Sequence, residues 1–205
     1  MPRTDARSRA EIDAPRVYSP IARAFHWSVA ALVIVTIPIG FVMVDREDVK
    51  IADDAARAAF EAVTAQMFSW HKLIGITILV LMIARLVYRL MHGAPRSEPT
   101  LAGWQKGLSH AVHWSLYLLL IGVAIGGYVG IAIGGYLDVF GVHLPSFGFT
   151  KDDKLSEQIF DAHKLGAKVI LALISLHLAG SAYHAFVKGD GVVSRMWPRS
   201  GRSSD

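Results

Sequence analysis

Four long stretches of apolar residues, each with few charges, divide the chain. The first runs from Ala24 to Val44 and contains no Asp, Glu, Lys or Arg. The second spans about Gln66 to Met91, the third lies within Leu108 to Leu137, and the fourth extends from Asp161 to Val187. About 20 apolar residues in a helix suffice to cross the hydrocarbon of a bilayer. The pattern predicts an all-α integral membrane protein with an up-and-down four-helix bundle.

Polar segments separate these stretches. Residues 45–65 are acidic and rich in Ala, which favours an amphipathic extension leading into the second helix. Two prolines break the chain between the second and third helices. We expect a mixed aromatic and charged loop at 138–157, a disordered cytoplasmic tail at 1–17, a membrane domain at 18–198 and a polar C-terminal tail at 199–205.

Composition supports the membrane assignment and narrows the chemistry. Hydrophobic residues make up 53% of the chain and charged residues 19%, which is typical of membrane proteins. The net charge of +4 comes from basic residues beside the apolar stretches, so it favours a membrane flank over a nucleic-acid partner. The chain has no cysteine. This excludes thiolate-held iron–sulfur clusters, CxxCH haem attachment and disulfides, and leaves histidine as the candidate metal ligand.

Lys and Arg are distributed unevenly between the connections. They are most frequent in the N-terminal segment, in the connection between the second and third helices, and after the fourth helix; the residues are Arg3, Arg7, Arg9, Arg16, Arg23, Arg85, Arg89, Arg96, Lys106, Lys188, Arg195, Arg199 and Arg202. Because basic residues favour the cytoplasmic side of a membrane, we expect both termini in the cytoplasm.

The fourth stretch carries three histidines on one helical face. His163, His177 and His184 are separated by 14 and 7 residues, close to whole numbers of helical turns. His163 and His177 therefore lie about 21 Å apart along a helix axis. In this topology His71 shares the depth of His163 near the external side, and His26 shares that of His177 towards the cytoplasm.

Two histidine pairs at two depths favour haem. Haem iron takes axial ligands on opposite faces of the macrocycle, and filling both leaves no open site for dioxygen, so electron transfer is the expected function. Zinc prefers four ligands in a tetrahedron. A purely structural role would leave His177 as an unliganded imidazole deep in the membrane, which needs a buried partner.

Other polar and small residues in the spans have two readings each. His110, His113 and His184 lie near the cytoplasmic end. In one reading they belong to a quinone site, contact a haem propionate or lie at the membrane interface. In the other, one of them is a haem ligand in place of His26. Arg85 is deep enough to pair with a haem propionate, or it extends along the helix to the interface. Glycines recur at 122, 126, 130 and 134, either for close helix packing or to admit a flat macrocycle.

Several short motifs resemble the bacterial cytochrome b561 family. They are His26-Trp27, the HKxxG run from His71 to Gly75, "LMIARLVYRL", the spacing of His163, His177 and His184, and "YHAFVKGDGVVSRMWP". The resemblance covers about residues 17–198. It implies a four-helix inner-membrane protein with two b haems, held by His26/His177 and His71/His163, in agreement with the depth argument.

For stand-alone members of about this length, the resemblance implies oxidation of superoxide at the periplasmic side and reduction of ubiquinone near the cytoplasm. Lys72 and Lys164 directly follow two proposed ligands. Their ammonium groups either attract a small anion to the external haem or merely extend to the membrane interface. Candidates for the quinone site are Arg23, His113 and His184. The alternatives are a membrane anchor that relays electrons between a periplasmic redox partner and quinone, and a haem-free transporter.

Overall fold

The computed structural model describes residues 17–46 and 49–197. It contains four long helices, and each is long and apolar enough to cross a membrane. They are α1 (Pro20–Arg46), α2 (Asp54–His92), α3 (Gly103–Gly134) and α4 (Asp153–Ala182). The prediction of an all-α membrane four-helix bundle is confirmed. The predicted tails at residues 1–16 and 198–205 lie outside the described residues.

Two helices begin earlier than the apolar pattern predicts, because acidic residues cap them. The Asp53 carboxylate accepts a hydrogen bond from the Ala56 N–H at 2.7 Å, so the acidic segment before the second span is already helical. The Asp152 carboxylate accepts from the Leu155 N–H at 3.0 Å. Such caps satisfy N–H groups that the first turn leaves unpaired. The loop predicted at 138–157 is therefore shorter than expected.

A small hairpin fills the remaining loop between α3 and α4. Strands β1 (Asp138–Val139) and β2 (Val142–His143) pair antiparallel. The turn between them places Phe140 at φ 49° and Gly141 at φ 81°. Two successive residues with positive φ are typical of a tight type I′ turn. The hairpin lies at the same end of the bundle as His71 and His163.

The fourth helix changes its winding at its C-terminal end. Residues Tyr183–Lys188 form a π-helical turn, Gly189 follows with φ 60°, and a 3₁₀ turn covers Val193–Arg195. The pattern predicted one regular helix to Val187. Single π-helical turns are frequent at functional sites, and here the turn carries His184.

The bundle has a small dry centre and a large apolar exterior. Val29, Val33, Ile78, Met82 and Tyr117 form the central cluster, contributed by α1, α2 and α3. Leu118, by contrast, is 74% exposed, as expected for a side chain facing lipid. The α4 backbone packs chiefly on α3, and two of its histidines also approach histidines of α1 and α2.

Glycines explain the close approach of α3 and α4 at the end of the bundle that carries the hairpin. A Cβ at Gly130 would lie 2.8 Å from a ring carbon of Phe160, and one at Gly134 would lie 2.7 Å from the Ser156 hydroxyl. That hydroxyl donates a hydrogen bond to the Gly130 carbonyl at 2.9 Å. This half of the glycine stripe therefore serves helix packing.

Candidate functional site

Two histidines face each other in the half of the bundle that carries the β1–β2 hairpin, the half predicted to be external. His71 on α2 and His163 on α4 have ring centroids 6.0 Å apart, with ring planes at 72°. The Nδ1–H of His163 donates to the Val123 carbonyl at 2.9 Å. His71 Nδ1 forms a 3.3 Å hydrogen bond with the Thr36 hydroxyl. Each imidazole is thus held through Nδ1, which leaves Nε2 for a ligand.

A glycine lies beneath each of these imidazoles. Gly40 follows Thr36 by one helical turn, and Gly127 follows Val123 by one turn. A Cβ at Gly40 would lie 3.2 Å from His71 Cε1, and one at Gly127 would lie 2.9 Å from His163 Cε1. Because glycine has no side chain, each ring can come close enough to form a hydrogen bond with the oxygen that orients it.

Three histidines meet in the opposite half of the bundle, the half predicted to be cytoplasmic. The ring centroid of His177 lies 6.2 Å from that of His26 on α1 and 5.1 Å from that of His113 on α3. The Nδ1–H of His113 donates to the Ser109 carbonyl of its own helix at 2.6 Å. His113 is one of the residues predicted to rival His26 as a ligand, and the structure brings both to His177.

Arginine side chains line the same end of the bundle. Arg85 donates from Nε to the Tyr117 hydroxyl at 2.8 Å. The Arg89 guanidinium carbon lies 5.4 Å from the centre of the Trp114 ring, within the range of a cation–π contact. Arg85 is half-buried, and this hydrogen bond holds it against α3.

The chain after α4 folds back across the end of the bundle where α1 begins. Arg23 donates from Nη1 to the Trp197 carbonyl at 2.9 Å, and the Trp27 indole N–H donates to the Met196 carbonyl at 3.0 Å. Within residues 17–46 and 49–197, Arg23 Nε is buried without a hydrogen-bond partner. We call residues 183–197 the C-terminal cap.

His184 is tied to an acid of this cap. Its Nδ1 lies 2.7 Å from Asp190 Oδ2, and the two side chains are 12% and 8% exposed. The Thr100 hydroxyl donates to the same carboxylate oxygen at 3.4 Å. Although burial acts in the opposite direction, the hydrogen bond from His184 and the backbone N–H of Val192 hold the pKa of Asp190 below its usual value.

Lys72 is engaged by the external hairpin. Its ammonium group donates to the carbonyls of Tyr136 at 2.7 Å and Asp138 at 2.9 Å. Its neighbours also contact the hairpin, since the Ser69 hydroxyl accepts from the Phe140 N–H and Trp70 packs edge-on against the Phe140 ring. Lys72 thus joins the hairpin to the helix that carries His71, a role that the sequence did not indicate. Lys164 is partly buried on α4.

An open cavity of about 610 Å³ lies apart from the histidines, where α1 ends and α2 begins. Arg46 lies beside it and donates to the Thr64 hydroxyl at 2.8 Å, with its guanidinium carbon 3.7 Å from the centre of the Phe60 ring. The cavity holds none of the predicted site residues, so we place the functional site at the histidines.

Four membrane helices with facing imidazoles at two depths define a membrane protein of the class that binds haem between helices. Residues 17–199 match the family model of prokaryotic cytochrome b561. The chain belongs to this family, whose members bind haem b and transfer electrons. It is accordingly a multi-pass protein of the inner membrane.

Curated relatives agree with this assignment. The chain is 31% identical over 135 residues to the "Probable superoxide oxidase CybB" of Yersinia pestis, an alignment that covers 63% of this chain and 76% of that protein. It is 28% identical over 195 residues to "Cytochrome b561 homolog 2" of Escherichia coli, covering 93% of this chain and 95% of the relative. "Cytochrome b561 homolog 1" of the same organism is 26% identical, covering 63% and 73%.

The histidine geometry is suited to haem b. With a metal–nitrogen distance of about 2 Å and a ring radius of roughly 1 Å on each side, two imidazoles that share one metal have centroids about 6 Å apart. The separations of 6.0 Å for His71/His163 and 6.2 Å for His26/His177 match this value. The His113/His177 separation of 5.1 Å is shorter. The unpartnered Arg23 Nε adds a donor for a carboxylate or carbonyl at the cytoplasmic end.

Proposed function

We propose that the protein binds two b haems and moves electrons across the membrane from superoxide, at the periplasmic side, to ubiquinone near the cytoplasm. The observation that carries this proposal is the pair of facing imidazole sets, 6.0 and 6.2 Å apart, in the two halves of one bundle. Both termini then lie in the cytoplasm, as the distribution of Lys and Arg predicts. The relative named as a probable superoxide oxidase supports the choice of donor.

The four proposed axial ligands are His71 and His163 for the periplasmic-side haem, and His26 and His177 for the cytoplasmic-side haem. Bound haem supplies one-electron redox chemistry with both axial positions filled. The hydrogen bonds from Nδ1 of His163 to the Val123 carbonyl and between Nδ1 of His71 and Thr36 orient the ligands and strengthen them as donors.

The cationic and polar groups of the cytoplasmic half have binding roles in this proposal. Arg85 faces the His26/His177 level and pairs with a haem propionate, a contact that a guanidinium makes strongly. Arg23, His113 and His184 contribute to the ubiquinone site. The support for Arg23 is its buried, unpartnered Nε, and that for His113 is its ring contact with His177.

At the periplasmic face, Lys72 and Lys164 provide positive charge beside His71 and His163. An ammonium group keeps its charge when it donates to carbonyls, so the tether of Lys72 to the hairpin is compatible with attraction of superoxide. Charge of this kind raises the rate of encounter with a small anion more than it raises affinity.

The experiment that tests the proposed function measures haem and activity together. The detergent-purified protein is expected to hold two low-spin b haems per chain in its dithionite-reduced minus oxidised spectrum. Superoxide generated by xanthine oxidase is expected to reduce ubiquinone-1 in proportion to the amount of protein, and added superoxide dismutase is expected to abolish the reaction. Two haems without superoxide-driven quinone reduction would remove superoxide as the donor.

The charge of the two lysines gives a further prediction. Lys72→Met and Lys164→Met are each expected to lower the superoxide-driven rate about threefold at low ionic strength, because each removes one attracting charge. The difference from wild type should shrink near 0.15 M salt, where the Debye length is about 8 Å. Lys151→Met, which removes a charge paired with Asp153 on the external loop, is the control and should stay near the wild-type rate. Equal losses in all three variants would contradict a specific role for the two lysines.

A second candidate function is electron relay between a periplasmic redox partner and quinone. The observation that favours it is the projecting N-terminal part of α2 around Asp54 and Arg57, whose side chains are largely exposed beyond the apolar span. Co-purification of a periplasmic redox subunit, together with a chain that is inert towards superoxide, would support this alternative.

A further inference from the structure

The C-terminal cap joins three parts of the bundle at the cytoplasmic end. Its far end is held by Arg23 and Trp27 of α1. The Tyr18 N–H, just before α1, also donates to the Arg195 carbonyl at 3.2 Å. Its near end is held by the connection between α2 and α3, where Lys188 donates to the Thr100 carbonyl at 3.2 Å. The cap thus lies across the end of the bundle below His26 and His177.

One ion pair within this cap, His184 with Asp190, is shorter than the neighbouring ion pair. His184 and Asp190 are nearly buried and joined by a 2.7 Å hydrogen bond, whereas the neighbouring ion pair of Arg195 with Glu98 is longer, at 3.8 Å. A π-helical turn displaces His184 from the regular α4 spiral. A hydrogen bond between neutral groups would be enough to attach the cap. Because burying two ionisable groups costs desolvation free energy, we look for a further role of this pair.

The chemistry of the proposed reaction supplies that reason. Ubiquinone takes up two electrons and two protons to become ubiquinol, and two O–H bonds form. Electrons arrive through the membrane, but the protons must come from water at the side where the quinone lies. Histidine is the side chain that releases and regains a proton between about pH 5 and 8.

We propose that His184 and Asp190 form the proton-delivery pair for quinone reduction, with His184 as the proton donor and Asp190 as its positioning residue. This inference rests on the proposed function. Asp190 occupies Nδ1, so Nε2–H of His184 is the bond that breaks when a proton passes to a quinone oxygen. The imidazole is then neutral, keeps Nδ1–H on Asp190, and regains a proton from cytoplasmic water; two such cycles complete one ubiquinol.

The charges around the pair are consistent with this assignment. The lowered pKa of Asp190 keeps its carboxylate anionic at neutral pH, so it serves as a fixed acceptor while the imidazole cycles. The groups that face the pair from the packed elements are Lys188 at the end of α4, Thr100 before α3 and the Val192 N–H in the cap.

The test separates proton delivery from mere tail attachment. Asp190→Asn keeps an oxygen that accepts from Nδ1–H but removes the charge, Asp190→Glu keeps the charge, and His184→Gln removes the proton donor. Glu98→Gln is the matched control, because Glu98 is an acid that pairs with Arg195 of the C-terminal cap and is not bonded to His184. Each protein is reduced anaerobically with dithionite, freed of reductant, and mixed with ubiquinone-1 while the reduced haem band is followed.

We expect Asp190→Asn and His184→Gln to slow the limiting rate of reoxidation at saturating ubiquinone-1 at least about tenfold, since a positioned acid contributes roughly 10²–10⁴-fold. Haem content and spectra should be unchanged, and the rate should fall more steeply with rising pH than in wild type. Asp190→Glu and Glu98→Gln should remain within about threefold of wild type.

The opposing outcomes are distinct. A wild-type limiting rate in Asp190→Asn, with only a weaker apparent affinity for quinone, would show that the pair attaches the tail and would overturn the inference. A wild-type protein whose reduced haems are not reoxidised by ubiquinone-1 would contradict the proposed function itself, and this inference with it.

Discussion

His177→Leu is expected to leave one haem per chain instead of two. The leucine removes the imidazole that faces both His26 and His113, so the cytoplasmic-side haem loses its α4 ligand. The His71/His163 pair lies about four helical turns away along α4 and should keep its low-spin spectrum unchanged. Haem per chain by pyridine haemochrome, together with the reduced-minus-oxidised spectrum, measures the result.

Two companion variants identify the partner of His177. His26→Leu is expected to abolish the same haem, whereas His113→Leu should retain it, because only the 6.2 Å separation matches two imidazoles on one metal. His110→Leu, an exposed histidine of the same helix as His113, is the control and should keep both haems. Retention of two low-spin haems in His177→Leu would contradict the proposed pairing.

The positions of the histidines could be predicted because helix geometry is regular. A separation of 14 residues puts His163 and His177 on one face whatever surrounds them, and alternating helix direction then assigns each a partner at its depth. Those pairs do face each other in the structure. Depth cannot distinguish two residues at the same level of the bundle, so the sequence alone leaves His26 and His113 as rival partners of His177.

The groups that orient the histidines could not be predicted in the same way. The Val123 carbonyl that accepts from His163 is a backbone atom and has no signature in a sequence. Thr36 reads as an ordinary polar residue of an apolar helix, and only its contact with His71 gives it a role. The regular glycine stripe attracted attention, yet Gly127, which lies outside it, is the glycine under His163.

Irregular backbone explains the other differences between the structure and the elements predicted from the sequence. The π-helical turn at Tyr183–Lys188 and the cap that follows depend on contacts between residues far apart in sequence, such as Arg23 with Trp197. Hydrophobic periodicity shows only which residues share one face of a helix. It therefore predicted a regular α-helix as far as Val187. The docking of Lys72 on the external hairpin is hidden for the same reason, because both acceptors are carbonyls.

Gly127→Val is expected to remove the external haem while the cytoplasmic one remains. A Cβ at this position would lie 2.9 Å from His163 Cε1 and 3.1 Å from Nδ1, closer than unbonded carbon atoms tolerate. The imidazole must then leave the Val123 carbonyl, and its Nε2 turns away from the direction of His71. Displacement of a ligand by even about 1 Å is enough to disable a preorganised site.

Gly126→Val is the matched control for this prediction, since a Cβ there meets nothing within 4 Å and the two positions are neighbours on α3. It should bind both haems at the wild-type level, which excludes a general effect of valine on the helix. Haem per chain and the spectrum of the remaining haem measure both variants. Two haems in Gly127→Val would show that His163 can ligate from another orientation, and the hydrogen bond to Val123 would then have no part in holding the site.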